Sequence, residues 1–415
     1  MERNADVAII GGGAIGLWAA YFLHQQGRSV VVLDRDAIGA ACSWGNAGYV
    51  SPSHVVPLAA PGVVTQGLGW LLDPESPFYI RPRPDLDLAR WLWKFVRAGT
   101  TAHVERSAPV FADLGLRSVA HYADLAQHLD LGFELSGLMM LHRTDAGAEK
   151  NEKLAQRARA VGLEVDILDP KAAQALEPTI ADEIGGIYFP QDAVVDPARM
   201  TMALHRHLEA EGVRFLPHTD VTGFARRNGT VRAVRTTQGD VEARQFVLAA
   251  GSWSPELGRD LGLRLPVQPA KGYSITITPD GAMPHLPVLL TEAKVAVTPL
   301  PEGRLRFAGT LELAGLDASI NERRVRAVLR AVPDYLEPFD QIDADPAEAW
   351  AGFRPCTPDG LPIIGKPDSL DNLVVATGHA MLGISLAPAT GTLVAALVAD
   401  ETPPFDPKPF RVGRF

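Results

Sequence analysis

The stretch DVAIIGGGAIGLWAAYFLHQQGRSVVVLD, residues 6–34, decides the fold. Val7 to Ile10 form a short apolar run of the kind found in a buried parallel strand. Gly11-Gly12-Gly13-Ala14-Ile15-Gly16 follows at once, and Leu17, Ala20, Tyr21, Leu23 and His24 then continue a helical pattern that stops at Gly27. Ser29 to Leu33 reads as a second buried strand, closed by Asp34. This order of strand, glycine turn, helix and strand suits a bound dinucleotide. Gly11 permits the tight turn, Gly13 lets the backbone approach a pyrophosphate, and Gly16 lets the helix pack close to the strand. The pyrophosphate sits where free N–H groups and the helix dipole favour an anion. Asp34 can accept hydrogen bonds from ribose hydroxyls and disfavours the 2′-phosphate of NADP. The motif alone does not separate FAD from NAD.

Working outward, 415 residues predict two domains. A hydrophobic share of 47% and a charged share of 21% place the chain among globular proteins rather than disordered ones. The net charge of -10 argues against nucleic-acid binding and against docking on anionic lipid through charge alone. The local pair Arg323-Arg324 reads as a solvated helix face. Two cysteines, Cys42 and Cys356, make neither a disulfide framework nor a metal set. Met1 to Asp6 lacks the basic start of a signal peptide, and no uninterrupted apolar stretch reaches the roughly 18 residues of a spanning helix. The expectation is a cytoplasmic protein without a transmembrane segment, soluble or peripheral on the membrane face.

Ser43-Trp44-Gly45-Asn46-Ala47-Gly48, just past the second strand, is small enough to wrap a diphosphate. Residues 86–130 carry helical apolar stripes, and Glu149 to Gly162 and Pro197 to Gly212 read as helices. Gly132 to Leu141, Gly186 to Phe189, Val213 to Val221, Val231 to Thr236 and Val241 to Leu248 read as strands, the last running into Ala249-Ala250-Gly251-Ser252-Trp253. Pro266 to Ile277, Val295 to Thr298 and Leu305 to Thr310 alternate as in an antiparallel sheet, followed by a helix from Asn321 to Leu336. Gly360 to Gly365 reads as a compact loop. Leu373 to Ala376, Thr377-Gly378-His379-Ala380-Met381-Leu382-Gly383 and an apolar helix from about Ser385 to Val398 repeat the strand–glycine loop–helix order. A second helix N-terminus can thus face the ligand and stabilise negative charge there. The fold class is α/β (α+β overall): a Rossmann-like nucleotide-binding domain over 1–88, 196–262 and 350–415, with an antiparallel-sheet substrate domain over 89–195 and 263–349.

Taken together, Gly11 to Gly16, Ser43 to Gly48, Ala249 to Trp253 and Arg354-Pro355-Cys356-Thr357-Pro358-Asp359-Gly360 resemble the D-amino-acid oxidase-like FAD oxidoreductases. Asn46-Ala47-Gly48 with Ala59-Ala60-Pro61-Gly62, and Lys271-Gly272-Tyr273-Ser274, are most similar to the bacterial D-amino-acid dehydrogenases. The resemblance runs from Val7 to about Val398. It implies a non-covalent FAD held by Gly11, Gly13, Ala14, Ile15, Gly16, Asp34, Arg35, Ser43, Asn46, Ala47 and Gly48. It extends that set to Val221, Ala250, Gly251, Trp253, Gly378, Leu382, Gly383, Ile384 and Ser385. It also implies oxidation of a D-amino acid to an imino acid, which hydrolyses to an oxo acid and ammonia, with electrons passed to a quinone or dye. Two positions depart from the pattern: Asp34 stands where Glu is commoner, and His54 where an aromatic is usual.

Hydride removal from a carbon bearing a neutral amine needs little acid–base machinery. It needs the C–H bond aimed at flavin N5 from about 3–3.5 Å. Arg354 is the first candidate, because a guanidinium pairs bidentately with a carboxylate and stays charged. A structural acid such as Asp359 is its alternative partner. Tyr273 offers a hydroxyl to substrate, or sits in a sheet core. Lys271 is an electrostatic group near the flavin, or a strand-edge lysine. His379 and His54 stand near the substrate, or pack in loops. Cys356 reads as a small buried hydrophobe rather than a covalent flavin link. Val63 to Leu72, with Trp70, forms either a lid or an exposed lip for membrane or quinone contact. The competing functions are an oxygen-using oxidase of glycine, sarcosine or a hydroxyproline-type D-imino acid, and a non-catalytic FAD-binding protein.

Overall fold

The parallel strand Ala5–Ile10 is flanked by Val30–Leu33 on one side and Val241–Leu248 on the other. The computed structural model describes residues 5–70, 75–339 and 342–415. Arg214–Leu216 and Leu373–Thr377 extend the parallel core at its two ends. Period-two alternation sends successive side chains to two cores. Val7, Ile9, Val30, Val32, Val247 and Val374 pack under the helices Ala14–Gln25 and Gly383–Ala399. Ala8, Ile10, Val31, Leu33, Phe246 and Val375 pack with Phe224 and Val231 of the antiparallel meander Val221–Arg227/Thr230–Thr236. Each fully buried branched side chain contributes about 1.5–3 kcal/mol to holding these layers.

Helix Gly383–Ala399 lies against both Ala14–Gln25 and Thr101–Leu125. A Cβ on Gly391 would come within 2.7 Å of the Trp18 carbonyl, so glycine sets that close helix approach. The sequence suggests no apolar run of spanning length. The continuous run Ala380–Ala399 nevertheless has 20 residues and a mean hydropathy of 1.8. Its packing explains the composition, since 72% of its apolar window is buried inside the protein.

The second sheet runs, from edge to edge, Trp350–Cys356, Gln268–Ile277, Arg304–Leu313, Val295–Leu300, Val288–Leu290, Leu138–His142, Gly185–Phe189 and Asp166–Leu168. Its neighbours are antiparallel except Val288–Leu290 beside Leu138–His142, and Phe78–Ile80 lies parallel to Arg304–Leu313. The segments Phe78–Ile80 and Trp350–Cys356, assigned from sequence to the nucleotide-binding part, therefore belong to this sheet. Helix Thr101–Leu125, assigned to the substrate part, packs in the first core. Helix Glu322–Arg330 covers one face of the second sheet. The other face meets Tyr49 and Val55 across Ala296 and Ala308.

Several local expectations change. The helix expected over Asn321–Leu336 stops at Arg330 because Pro333 disfavours helical backbone at the residue before it. The strand expected over Val213–Val221 breaks at Pro217 and His218, the latter at φ +52°. Ile363–Gly365 is a strand paired with Leu373–Thr377, not loop. Arg324 is not on a solvated face: it is buried and pairs with Glu312 at 3.3 Å. Val63–Trp70 is a helix. The remainder of the lip or lid stretch, residues 71–72, and the Trp70 side chain lie outside the described residues.

Candidate active site

The amino-terminal glycine turn opens onto a cavity of about 1050 Å³. Gly11 adopts φ +111°, and a Cβ there would meet the Ala249 carbonyl oxygen at 2.4 Å. A Cβ on Gly16 would stand 1.9 Å from the Gly11 carbonyl oxygen, so only glycine lets helix and turn approach this closely. Ser43 Oγ accepts from Ala14 N–H at 3.0 Å. The Asp34 carboxylate accepts from Gly12 N–H at 2.7 Å and Asp36 N–H at 2.9 Å. Burial raises its pKa, and these two hydrogen bonds act against that rise. The Arg35 guanidinium lies 3.9 Å from the centre of the Trp253 ring.

Gly13, Ile15, Asn46, Ala47, Val221, Ala250 and Gly251 join this rim, and Leu382, Gly383, Ile384 and Ser385 close the cavity at the second helix start. The helices at Leu86, Thr101 and Pro197 are capped by Asp85, Thr100 and Asp196 side chains. The two helices that start at the cavity carry no side-chain cap at their N-cap residues. Ser43 takes the Ala14 N–H of the first, and the other first-turn N–H groups are left for an anion, the arrangement that receives one at a helix start. Three expected cofactor contacts lie elsewhere, the first being Gly16, which packs on the Gly11 carbonyl and does not line the cavity. Gly48, at φ +86°, abuts the Val195 carbonyl, and Gly378, at φ +82°, abuts Thr357; each serves close chain packing and neither lines the cavity.

The second sheet supplies the opposite wall. In Trp350–Cys356, residues 350, 352 and 354 share one face by strand alternation. Trp350 lies over Gly45 and Gly352, where an added Cβ would meet its ring at 2.2 and 1.9 Å. Arg354 lies over Gly272, where a Cβ would stand 1.9 Å from Nη1. Arg354 Nη1 donates to the Thr310 carbonyl at 2.7 Å. Among the described residues no carboxylate pairs with Arg354. The structural alternative is excluded by geometry, because Asp359 is held bidentately by Arg414 at 2.8 and 3.0 Å. Burial opposes the Arg354 charge and lowers its pKa. A half-buried cation facing a cavity without a counter-ion is a ready receptor for a carboxylate. Gly272→Ala is expected to displace this guanidinium and raise KM for a carboxylate substrate by ~10²-fold with flavin content kept. Anaerobic titration of flavin reduction checks this.

The same alternation turns two other candidates away. Lys271 is buried, donates to the Ser319 carbonyl at 2.7 Å and pairs with Glu312 at 3.6 Å. Tyr273 borders the cavity, but its hydroxyl accepts from Asn321 N–H at 3.3 Å in the core behind the sheet. Burial raises its pKa further from use, with the Glu312 charge adding to the rise. Tyr273→Phe is expected to leave substrate saturation within ~2-fold of wild type and to cost ~1 kcal/mol of stability by denaturant unfolding. A tenfold rise in KM would return the hydroxyl to the substrate.

Both histidines line the cavity. His379 Nε2 bonds Thr390 Oγ1 at 2.9 Å, and burial lowers its pKa to about 3. His54 is lowered to about 4, by burial first and then by the Lys294 charge, and its Nδ1 has no protein partner. Both are neutral at neutral pH. Cys356 is fully buried outside the cavity lining.

A family profile described as DAO, FAD dependent oxidoreductase, matches residues 6–397. The chain belongs to this FAD-dependent oxidoreductase family. It is 34% identical to a D-amino acid dehydrogenase of Granulibacter bethesdensis over 420 residues, covering 99% of each chain. A D-amino acid dehydrogenase of Chromohalobacter salexigens is 35% identical over 425 residues, again with 99% of each chain covered. Among solved structures, glycine oxidase from Geobacillus kaustophilus superposes with a TM-score of 0.82 at 25% identity, over 99% of each chain. L-proline dehydrogenase from P. horikoshii shares the fold, with a TM-score of 0.77 at 19% identity over 100% of this chain and 98% of its own.

The cradle of this FAD-dependent oxidoreductase fits its cofactor: two uncapped helix starts, a carboxylate held at Asp34 and glycine turns that leave no room for side chains. Three cavity residues escape the sequence reading. Trp350 and Lys294 carry no motif. Thr310 sits at φ +62°, an outlier for a β-branched residue, in a bulge where the register shifts between Lys271 and Tyr273. The one legible signal was Gly272 inside a strand, which marks a close approach of another group.

Proposed function

We propose that this oxidoreductase dehydrogenates D-amino acids, yielding a 2-oxo acid and ammonia, and passes the electrons to a quinone or dye. The carrying observation is Arg354, a charged group without a carboxylate partner on the wall opposite the cofactor cradle. The substrate carboxylate takes the place of that missing partner, and the sheet that carries Arg354 is the substrate-binding part of the molecule. Bound FAD supplies the chemistry of accepting a hydride from the substrate Cα. Loss of that hydride and of an amine proton leaves a C=N bond, and water then converts the imine to oxo acid and ammonia. His54 and His379, both neutral, leave Arg354 as the cationic anchor of the α-carboxylate among the residues expected at the substrate. The names of the relatives support the D-amino-acid class.

The test is anaerobic bleaching of the purified holoenzyme with D- and L-amino acids, glycine, sarcosine and D-prolines, followed by turnover with a dye and with oxygen. D-amino acids are expected to bleach fastest and dye turnover to exceed peroxide formation. Fast peroxide production from glycine, sarcosine or a D-proline would favour the oxidase reading. A well-folded holoenzyme that no amino acid bleaches would remove the function.

A further inference from the structure

One cavity cation, Arg354, is accounted for by a substrate α-carboxylate; a second is not. Lys294 lines the same cavity. Its side chain keeps accessible surface while the surrounding protein desolvates it, the combination expected of a group facing an internal space. Burial lowers its pKa, and Lys150 adds to the effect. Among the described residues no carboxylate pairs with it. Glu292, two residues away, is taken: its Oε1 accepts from Arg143 N–H, Thr144 N–H and Thr144 Oγ, and its Oε2 accepts from the Tyr335 hydroxyl.

The sheet places the two cations on one wall. Arg354 crosses Gly272 to reach the Thr310 carbonyl. The neighbouring strand pairs Ala296 with Ala308, and continuing that register sets Lys294 beside Thr310. The Lys294 carbonyl oxygen lies 3.6 Å from the position of a Cβ on Gly309. The Lys294 backbone, in the turn before Val295–Leu300, thus lies beside the Gly309-Thr310 backbone that anchors Arg354. Ala296 and Ala308, both small, line the cavity between them. Two groups nearby lack protein partners, His54 Nδ1 and Thr310 Oγ1. Two cations that line one cavity without a carboxylate partner among the described residues are stabilised when two anionic groups arrive together.

We propose that Lys294 binds a second carboxylate on the substrate, so that the preferred substrates are acidic D-amino acids of the D-aspartate and D-glutamate type. This rests on the dehydrogenase reading above and names its substrate class. His54 and Thr310 line the same cavity.

The test compares D-glutamate with the near-isosteric D-glutamine, and D-aspartate with D-asparagine, by anaerobic flavin reduction of the holoenzyme. D-alanine serves as a common reference. The acids are expected to exceed their amides in kcat/KM on the order of 10- to 100-fold, the span of one charge-assisted contact. Lys294→Met is expected to collapse that ratio to near one, and Lys294→Arg to keep most of it. Glutarate, which carries no amine, gives a readout without turnover. Its spectral titration of the flavin is expected to weaken on the order of tenfold in Lys294→Met, with butyrate far less affected. D-alanine bleaching with no acid-over-amide preference would overturn this inference and leave the dehydrogenase reading standing. Failure of every D-amino acid would remove both. An unchanged ratio with a shifted flavin potential in Lys294→Met would assign the lysine to the cofactor and also overturn it.

Discussion

Arg354→Leu is expected to raise KM for an amino-acid substrate by ~10²- to 10³-fold while the protein keeps its flavin and its fold. The size follows from the ion pair that the leucine cannot form. Removing one member of a desolvated, hydrogen-bonded charge pair costs about 2–5 kcal/mol, and each 1.4 kcal/mol is a factor of ten. The fold survives because no protein carboxylate is stranded: Arg354 meets only the Thr310 carbonyl, whereas Asp359 keeps its own Arg414. Arg354→Lys is expected to recover only part of the loss, since an ammonium lacks the planar pair of donors. Anaerobic flavin reduction against substrate concentration measures the effect directly. A Leu variant that saturates like wild type would take the α-carboxylate away from this residue.

Gly16→Val is expected to give colourless protein that takes up no FAD. The first added carbon already lies 1.9 Å from the Gly11 carbonyl oxygen, so either the helix retreats from the strand or the Gly11 turn opens. Both moves withdraw the amides that face the cavity. Gly27→Ala is the control: no neighbouring atom lies within 4 Å, and its φ of +74° makes the change cost roughly 1 kcal/mol without touching the cradle. Flavin absorbance per protein and the increase in melting temperature on adding FAD report the outcome. A yellow Gly16→Val protein would mean that the cofactor is held elsewhere.

The cradle was legible because its physics is local. Gly12 N–H to Asp34, Ala14 N–H to Ser43 and Gly16 against Gly11 are contacts within about thirty residues of sequence, and the period-two strands sort themselves into two cores. The substrate wall was less so. Arg354 is readable from chemistry, but residue type points to Lys271 and Tyr273 and passes over Gly272 between them. Alternation puts those two side chains on one face and the Gly272 position on the other. Which face meets the cavity depends on strands far apart in sequence. Thr310 and Lys294 depend on a bulge and a register that no local pattern announces. Residue type alone does not say that Glu292 is already engaged by Arg143, Thr144 and Tyr335.

The dispersal of the cavity along the chain bears on how the enzyme matures. The segments 10–15, 34–47, 219–221, 249–253 and 376–385 all contribute residues to the border of the one space. The last of these runs on from the strand Leu373–Thr377, which pairs beside Val241–Leu248. The flavin pocket is therefore complete only once this segment has docked on the sheet, so cofactor binding and docking of the segment stabilise one another.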